Sequence, residues 1–276
     1  MTETLSLRAK IEQSPMGAYQ WMIVVMAAIM NLLDGFDVLA LAFTATAIRG
    51  EFGLSGIELG YLLSAGLFGM TAGSLFLAPL ADKIGRRPLL LMAVSLSAIG
   101  MLGSAFISQY QWLGFWRVIT GLGVGGILVG TNVITSEYSS RKWRSFAISV
   151  YAAGFGIGAV LGGMFAVMLQ GEYGWRSVFL AGAILTGLLL VVLFIWLPES
   201  IDFLTTKQPK NAEVRLNLIA KKIGLAGDWK LPEKTEKVKT KLPISQLFSE
   251  KYLHSTLLIW TAFIAWGCRV TRDNDS

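Results

Sequence analysis

The sequence predicts an all-α polytopic membrane protein, which crosses the bilayer several times. It is 54% apolar and only 15% charged, with a mean hydropathy of +0.57, whereas soluble domains carry about 25% charged residues. Six separate stretches are apolar over roughly 20 residues or more, the length that a helix needs to span the hydrocarbon core. We therefore expect a six-helix transmembrane bundle, with spans near 19–48, 56–80, 88–108, 112–135, 145–169 and 175–197.

The composition also argues against several classes of protein. With one cysteine, Cys268, and one histidine, His254, the chain can form neither a disulfide framework nor a Cys or His metal site. We therefore expect no metal and no cofactor. An enzyme embedded in the membrane would need a nucleophile with its base, or metal ligands. The sequence offers neither a usable histidine nor a phosphate-binding loop, so we expect no enzyme.

The distribution of basic residues predicts the orientation in the membrane. The net charge is +6, but the basic residues cluster in short stretches between apolar runs, so we expect a lipid bilayer and no nucleic acid as partner. Nineteen of the 24 Lys and Arg residues lie on the side of the N-terminus, and only Arg49 and Arg176 lie in the opposite loops. The positive-inside rule therefore predicts a cytoplasmic N-terminus.

Three regions follow from this pattern. Residues 1–198 form the six-helix transmembrane bundle, and residues 199–252 form a Lys-rich cytoplasmic loop with an amphipathic helix predicted around 211–223. Residues 253–276 form a partial seventh helix and a polar tail, because the apolar run ends near Cys268 after about 15 residues, too few to cross the bilayer comfortably. We expect this ending to reflect a truncation or an out-of-frame tail.

Two carboxylates, Asp34 and Asp37, lie in the middle of the first apolar run. A charged group at the centre of a bilayer costs about 3 kcal/mol or more, so such groups usually mark an ion pathway, a substrate pathway or a proton relay. Their spacing of three residues places them on roughly one face of a helix. The alternative is a structural pair that caps a helix break at Gly35.

The fourth apolar run carries an arginine, Arg117, followed by glycines that include Gly121 and Gly125. At about 1.5 Å per residue, Arg117 and Asp37 lie at compatible depths, and the glycines would let their two helices approach closely. We expect Arg117 to pair with the carboxylate or with a substrate anion, and the alternative is a static buried salt bridge. Asn132, deeper in the same helix, either faces the cavity or has a polar packing role.

The two loops at the inner ends of the helices, 79–91 and 132–144, each combine an acid with basic residues. Anchoring by positive charge would explain the basic residues but not the acids. The similarity between the loops is what an internal repeat of three helices would produce. We predict an inner-gate charge network with six members: Asp82, Arg86, Arg87, Glu137, Arg141 and Arg144.

Glycines recur at four-residue intervals in the fifth apolar run, at Gly154, Gly158 and Gly162. Small residues at this spacing let helices pack closely in a membrane, so we interpret the series as a helix contact. The sixth run ends in Pro198-Glu199-Ser200 just before the long loop.

These elements together resemble the major facilitator superfamily, over residues 15–265. The loop 79–91, Arg117 with its glycines, and Pro198-Glu199-Ser200 are similar to superfamily motifs, and Asp34-Gly-Phe-Asp37 resembles the signature of the aromatic acid:proton symporter family. The loop departs from the motif at Pro79, where the family has glycine, and we expect this proline to stiffen the turn. Ala159 stands where drug–proton antiporters have proline, which argues against that branch.

The resemblance implies a proton-coupled secondary transporter in a bacterial inner membrane, with a small anionic carboxylate and protons as its ligands. Members of the family import benzoate, hydroxybenzoates or muconate. It implies that Asp34 and Asp37 serve proton coupling and that Arg117 suits an anionic substrate. It also implies that this chain is the N-terminal half of such a transporter, with the missing C-terminal half as its natural structural partner.

Two alternatives remain open at this point. Alternating access needs two halves that move around a central site, so a six-helix fragment could be inactive or regulatory. A facilitator for another organic anion is the second alternative. The sequence does not identify which acid is carried.

Overall fold

The computed structural model describes residues 7–225, 227, 229–231, 253–254, 257–258 and 261. Between residues 7 and 225 it contains nine α-helices and no strand. Their bounds are α1 Leu7–Gln13, α2 Ala18–Phe52, α3 Gly56–Ile84, α4 Arg86–Ala105, α5 Tyr110–Tyr138, α6 Arg144–Tyr173, α7 Trp175–Trp196, α8 Ile201–Lys207 and α9 Ala212–Ile223.

Helices α2 to α7 are long and apolar enough to cross a membrane, as the sequence predicted. Helix α2 continues without interruption through Gly35, so the two aspartates do not cap a helix break there. Pro79 lies inside α3, and the turn to α4 is made at Gly85, whose φ of +104° favours glycine. The expectation that Pro79 stiffens the turn is therefore wrong, because the turn begins six residues later.

The helix contacts have the symmetry of an internal repeat. Helix α3 packs along α5 as α2 packs along α6, and α4 packs on α5 as α2 packs on α7. The contacts α2–α5 and α4–α7 each map onto themselves, and α3–α4 and α2–α3 correspond to α6–α7 and α5–α6. Exchanging α2, α3 and α4 for α5, α6 and α7 leaves this pattern of contacts unchanged, which is the arrangement of two related three-helix units.

Glycines on α6 allow this helix to pack closely against α2. A Cβ atom on Gly158 of α6 would overlap the backbone of Leu32 on α2, and one on Gly154 would lie 2.5 Å from the carbonyl oxygen of Ala28. Gly162 meets the ring of Phe36, also on α2. The glycine series of the fifth apolar run therefore lies against α2.

The glycines of α5 face a different helix from the one we expected. A Cβ on Gly121 would overlap the carbonyl oxygen of Gly66, and one on Gly125 would overlap that of Met70, both on α3. The expectation that these two glycines bring α5 close to α2 is therefore wrong. The reason is geometrical, because the face of α5 that carries them is turned towards α3.

Burial differs strongly among the spanning helices. Helices α2 and α5 are the most buried, whereas α3 and α6 are largely exposed, with apolar side chains such as Phe68 and Val167 about 70% accessible. Asp34, Asp37 and Arg117 therefore lie within the bundle, as their helices do. Lipid or another protein segment has to cover the apolar faces of α3 and α6.

Two short helices follow the last span. Helix α8 is capped by Ser200, whose hydroxyl accepts a hydrogen bond from the Phe203 backbone N–H. Helix α9 is amphipathic, as predicted, and buries Leu216, Ile219 and Ile223. The chain divides into two units after Pro232, and the bundle belongs to the first. In the second, residues 253–254, 257–258 and 261 are helical, and the rest of the predicted seventh helix lies outside the described residues.

Candidate functional site

Asp37 is buried at the centre of the bundle, with 1% of its surface exposed. Its Oδ2 atom accepts a hydrogen bond of 2.6 Å from the hydroxyl of Ser97 on α4, while its Oδ1 atom has no partner among the described residues. Helix α2 thus presents a carboxyl group that is held on one oxygen and left unpaired on the other. Ser97 carries no signal in the sequence, because serine is common in membrane helices and periodicity does not reveal which helices are neighbours.

Arg117 on α5 is also buried, and its hydrogen bonds go to uncharged groups. Its Nη1 atom donates to the backbone carbonyl of Asp37 at 3.0 Å, and Nη2 donates to Met101 Sδ at 2.8 Å and to Thr120 Oγ1 at 3.4 Å. The guanidinium carbon lies 4.8 Å from the centre of the Phe179 ring, a cation–π contact. All hydrogen bonds of the guanidinium therefore go to neutral groups, although the Asp37 carboxyl lies nearby.

Arg117 makes no salt bridge with either aspartate within the described chain. The sequence led us to expect a pair between Arg117 and a carboxylate, and the structure instead joins the guanidinium to the Asp37 main chain. The physical reason is the direction of the Asp37 side chain, which turns towards Ser97 on α4. The Nε atom of Arg117 is buried without a partner. The arginine is thus anchored by neutral groups and retains a free donor.

Asp34 lies one helical turn from Asp37 and faces α6. It is 2% exposed, and its Oδ2 atom has no hydrogen-bond partner in the described chain. One turn before it, Asn31 donates from Nδ2 to the carbonyl of Tyr151 at 2.8 Å, and the Asn31 Oδ1 atom is unpaired. Sequence reasoning missed Asn31, although a polar amide three residues before Asp34 in an apolar run was an available signal.

A cavity opens between α2, α3 and α5 beside Asp37 and Arg117. Its water-accessible volume is about 40 Å³, enough to hold water. The remaining walls are mostly apolar and include Leu41, Leu63 and Val124. The structure thus brings Asp37 and Arg117 together at one cavity. Asp34 lies outside the lining.

Asn132 does not join this group. Its side chain is exposed on the surface of α5, away from the residues that line the cavity. Of the predicted proton-coupling and substrate residues, Asp37 and Arg117 are therefore adjacent, Asp34 is one turn away, and Asn132 is separate.

At the end of the bundle next to α1, which we call the inner end, Asp82 and Arg86 form an ion pair of 2.9 Å. The first backbone N–H groups of α4, those of Arg86 and Arg87, donate to Glu199 Oε1 at 2.8 and 3.0 Å. The carboxylate of Glu199 therefore caps α4, where the helix dipole favours a negative charge. Sequence reasoning noted Glu199 only as part of Pro198-Glu199-Ser200 and did not assign it this contact.

Glu137 plays the corresponding part at the start of α8. Its carboxylate accepts from Ser200 Oγ and from the Ile201 N–H, both at 2.9 Å. The hydroxyl of the next residue, Tyr138, donates to the carbonyl of Glu199 at 2.6 Å. The inner end of α5 is thus fastened to the segment that follows α7.

Helix α1 is attached to the bundle by charged side chains. Arg144 bonds to Glu12 at 2.6 Å, Arg8 pairs with Asp202, and the Arg141 N–H donates to the Glu12 carbonyl at 3.0 Å. The Arg144 guanidinium holds the pKa of the Glu12 carboxyl below its ordinary value. Neither Glu12 nor Asp202 was predicted, because both come from segments remote in sequence.

The six residues expected to form one inner-gate network are therefore distributed among separate contacts. Asp82 pairs with Arg86, Arg144 pairs with Glu12, and Glu137 binds the start of α8. Arg87 donates to the Phe194 carbonyl, and the Arg141 side chain is exposed. The contacts of the described residues do not link all six. Each acid is satisfied by the nearest helix end or basic side chain.

The six spanning helices thus place one buried arginine, Arg117, and one buried carboxyl group, Asp37, beside a single cavity. Residues 27–271 match the model of the Major Facilitator Superfamily. The chain belongs to this superfamily.

Curated relatives are named for the transport of aromatic acids. The chain is 34% identical over 253 residues to the gallate transporter of Pseudomonas putida, covering 92% of this chain and 56% of that protein. It is 33% identical over 264 residues to the 4-hydroxybenzoate transporter PcaK of Pseudomonas putida, covering 95% and 59%. The benzoate transport protein of Acinetobacter baylyi is 24% identical, with 94% and 57% covered. The chain thus spans less than two thirds of the length of these relatives.

Solved structures show the same fold. The proton:xylose symporter XylE, bound to 6-bromo-6-deoxy-D-glucose, matches with a TM-score of 0.67 at 22% identity, over 76% of this chain and 50% of that chain. A bacterial homolog of the human lysosomal transporter spinster, in an inward-facing and unoccupied conformation, matches with a TM-score of 0.61 at 21% identity, over 67% and 44%. This confirms the all-α facilitator fold that the sequence predicted.

Proposed function

We propose that this chain supplies the N-terminal half of a proton-coupled symporter that imports an aromatic or related carboxylic acid. The names of the relatives at 33–34% identity, which specify gallate and 4-hydroxybenzoate, support this class of substrate. The basic residues support a cytoplasmic N-terminus, since they concentrate at the end where α1, α8 and α9 lie. The bacterial relatives support a bacterial inner membrane.

The observation that carries the proposal is the environment of Arg117. A buried guanidinium is normally neutralised by an acid, because an uncompensated charge in a membrane is costly. Here its partners are a carbonyl, a thioether and a hydroxyl, and it lines the cavity. A carboxylate substrate that enters the cavity would supply the direct anionic partner that Arg117 lacks among the described residues. The apolar walls, including Leu63 and Val124, suit an aromatic ring, for which the cavity of about 40 Å³ has to widen.

Asp37 provides the link between protons and substrate. Its carboxyl group lines the same cavity as Arg117 and has one unpaired oxygen. A proton on Asp37 removes a negative charge that would repel a substrate carboxylate, so proton binding and substrate binding favour each other. Asp34, one turn away with an unpaired oxygen of its own, extends the proton path along α2.

The inner ends of the helices form the gate in this proposal. The Asp82 side chain is 66% exposed even though it pairs with Arg86, so it can also contact a second six-helix half. Arg87, Glu137, Arg141 and Arg144 hold the surrounding helix ends. The exposed side chain of Asn132 would line the path on the side that the second half closes. Alternating access by two halves around a central site requires such a gate.

The test is uptake of radiolabelled 4-hydroxybenzoate by cells that make a chimaera of residues 1–252 and the second half of the Pseudomonas putida 4-hydroxybenzoate transporter. We expect accumulation that an uncoupler abolishes. A chimaera that reaches the membrane but does not accumulate the acid, or accumulates it equally with the uncoupler, would contradict the proposal.

Cells that make only this chain show whether the chain transports the acid without a second half. Accumulation by the chimaera and none by the chain alone is the result expected of a half-transporter. Accumulation of a non-aromatic organic anion in preference to 4-hydroxybenzoate, gallate and benzoate would instead support a facilitator for another class of acid.

A further inference from the structure

A second and larger cavity lies at the inner end of the bundle, away from Asp37 and Arg117. Its water-accessible volume is about 480 Å³, and it is bounded by the start of α4, the end of α7 and the amphipathic helix α9. None of its lining residues lines the central cavity, and one of them, Arg87, also belongs to the proposed inner gate. Its lining combines basic side chains with large apolar ones, and this combination indicates the chemistry of what it binds.

The charge of this cavity is positive. Three basic residues, Arg87, Arg215 and Lys222, line it, and Glu199 is the acid among the lining residues. Glu199 is only 7% exposed, and its Oε1 atom already accepts three backbone hydrogen bonds at the start of α4 and at Ser200. Its charge is therefore directed towards the helix end, and the basic side chains determine the potential at the opening.

The three basic side chains keep donors available. Arg87 uses Nη2 to bond the Phe194 carbonyl at 2.6 Å, which leaves its Nη1 atom without a hydrogen bond to the described residues. The Lys222 ammonium lies 5.4 Å from the centre of the Tyr19 ring and forms no salt bridge with the described acids. Arg215 is exposed on the same helix and likewise makes no such pair. Guanidinium and ammonium groups arranged in this way are suited to a phosphate.

The apolar part of the lining lies next to these donors. Phe194, Ile195 and Trp196 form the last turn of α7 and are 65%, 60% and 48% exposed, and Leu218 of α9 is 56% exposed. Because α7 is a spanning helix, its last turn lies where hydrocarbon gives way to headgroups, the level at which tryptophan concentrates. A soluble anion would gain nothing from this surface, whereas an acyl chain would cover it.

Helix α9 has the composition of a helix that lies at a membrane surface. It buries Leu216, Ile219 and Ile223 against the bundle and turns Arg215, Lys221 and Lys222 outwards. Basic residues near a membrane attract anionic lipids, and pockets of this kind between helices hold lipid headgroups. The cavity is therefore closed on one side by a helix that is itself directed towards the lipid surface.

We propose that the cavity between α4, α7 and α9 binds an anionic phospholipid, whose phosphate contacts Arg87, Arg215 and Lys222 and whose acyl chain lies along Phe194 and Ile195. The lipid would hold α9 against the ends of α4 and α7. This site does not depend on the proposed transport function, since none of its residues lines the central cavity.

The test is binding of dioctanoyl phosphatidylglycerol to the purified full chain in detergent, measured by native mass spectrometry. The variant is Arg215→Gln/Lys222→Gln, and the matched control is Lys210→Gln/Lys221→Gln, which removes two charges from exposed residues that do not line the cavity. We expect roughly thirtyfold weaker binding by the first variant, from the loss of two basic residues near the lipid phosphate, and little change in the control.

Three probes separate the lipid from other occupants. Glycerol 3-phosphate and inorganic phosphate carry the anion without chains, and dioctanoyl phosphatidylcholine carries the chains without net charge. We expect each to bind at least about tenfold more weakly than dioctanoyl phosphatidylglycerol. Equal binding of inorganic phosphate would overturn the proposal in favour of a soluble anion, and equal binding of phosphatidylcholine would show an apolar groove only. Equal losses in the variant and its control, with helix content by circular dichroism unchanged, would overturn the site itself.

Discussion

The buried acids at the centre of the bundle differ from those at its inner end. Glu137 uses both carboxylate oxygens to bind the start of α8, and Glu199 binds the start of α4. Asp34 and Asp37 are equally buried, but each has one oxygen without a hydrogen-bond partner in the described chain. Buried polar groups in native proteins are usually paired, so the unpaired oxygens require an explanation.

The difference separates two uses of a carboxyl group in one membrane protein. An acid that satisfies backbone N–H groups at a helix end stabilises the fold, and replacing it leaves those donors unpaired. An acid with an unpaired oxygen contributes less to the fold and is available to a proton or to a ligand. The central acids should therefore be replaceable with little loss of stability, and the inner acids should not.

The largest effect on stability is expected for Glu199→Ala. The substitution leaves the backbone N–H groups of Arg86, Arg87 and Ser200 without their acceptor, which should cost about 3 kcal/mol of unfolding free energy. Unfolding of the purified chain in mixed detergent micelles measures it. Glu199→Gln, which keeps an acceptor oxygen, should recover part of the loss. A melting curve for Glu199→Ala like that of the wild type would remove the distinction between the two groups of acids.

The next largest loss of stability is expected from a substitution at the contact between α2, which carries the two aspartates, and α6. Gly158→Ala places a Cβ against the backbone of Leu32, so α2 and α6 must separate, at a cost of about 2 kcal/mol. Gly156→Ala is the matched control, because a Cβ there has nothing within 4 Å. The same unfolding assay should show a loss for the first variant only. Equal behaviour of the two would mean that α2 and α6 do not pack through this glycine.

A smaller change is expected when the charge of Arg117 is removed. In the chimaera, Arg117→Gln should weaken binding of 4-hydroxybenzoate by about tenfold, because a hydrogen bond to an ionised group contributes roughly 1.5 kcal/mol or more. Arg117→Lys keeps the charge and should bind more tightly than Arg117→Gln. Isothermal titration of the detergent-purified chimaera measures both. Unchanged affinity in Arg117→Gln would exclude the arginine from the substrate site.

The smallest expected effect is the pH dependence of the stability that the Glu12–Arg144 bond contributes. Because Arg144 keeps the pKa of Glu12 below its ordinary value of 4.5, their bond contributes stability above pH 4.5 and loses it as the pH falls through the lowered pKa. The contribution is about 1 kcal/mol or less, since the side chains are about a third exposed. Wild type should therefore exceed Glu12→Gln in stability at neutral pH, and the difference should shrink as the pH falls below 4.5. A difference that grows as the pH falls would contradict this sign.

The sequence predicted the elements of this fold more completely than their contacts. Hydropathy and length were sufficient for the six spans, and the cost of burial identified Asp34, Asp37 and Arg117. The partner of Arg117 was not predictable, because a backbone carbonyl carries no signal in the sequence. Ser97 was missed for a similar reason, since nothing local indicates that α4 lies beside Asp37.

Contacts between segments remote in sequence account for the other differences between the sequence predictions and the structure. Gly121 and Gly125 were recognised as a packing face, but the helix they face, α3, follows only from the arrangement of the whole bundle. Glu12 and Glu199 meet Arg144 and the start of α4 across more than 100 residues. A single sequence shows that charges of both signs are present at the inner end. Which of them form pairs depends on the three-dimensional arrangement of the helices.

The most direct test of the central claim is to replace one acid of each group in the chimaera and measure unfolding and uptake together. Asp37→Asn should unfold within about 0.5 kcal/mol of the wild type, because the Asn oxygen can still accept from Ser97 and no other bond is lost. It should also lose uncoupler-sensitive accumulation of 4-hydroxybenzoate. Glu137→Ala should lose stability by about 2 kcal/mol or more, because Ser200 and Ile201 lose their acceptor. Full accumulation by Asp37→Asn, or a loss of stability as large as that of Glu137→Ala, would contradict the account.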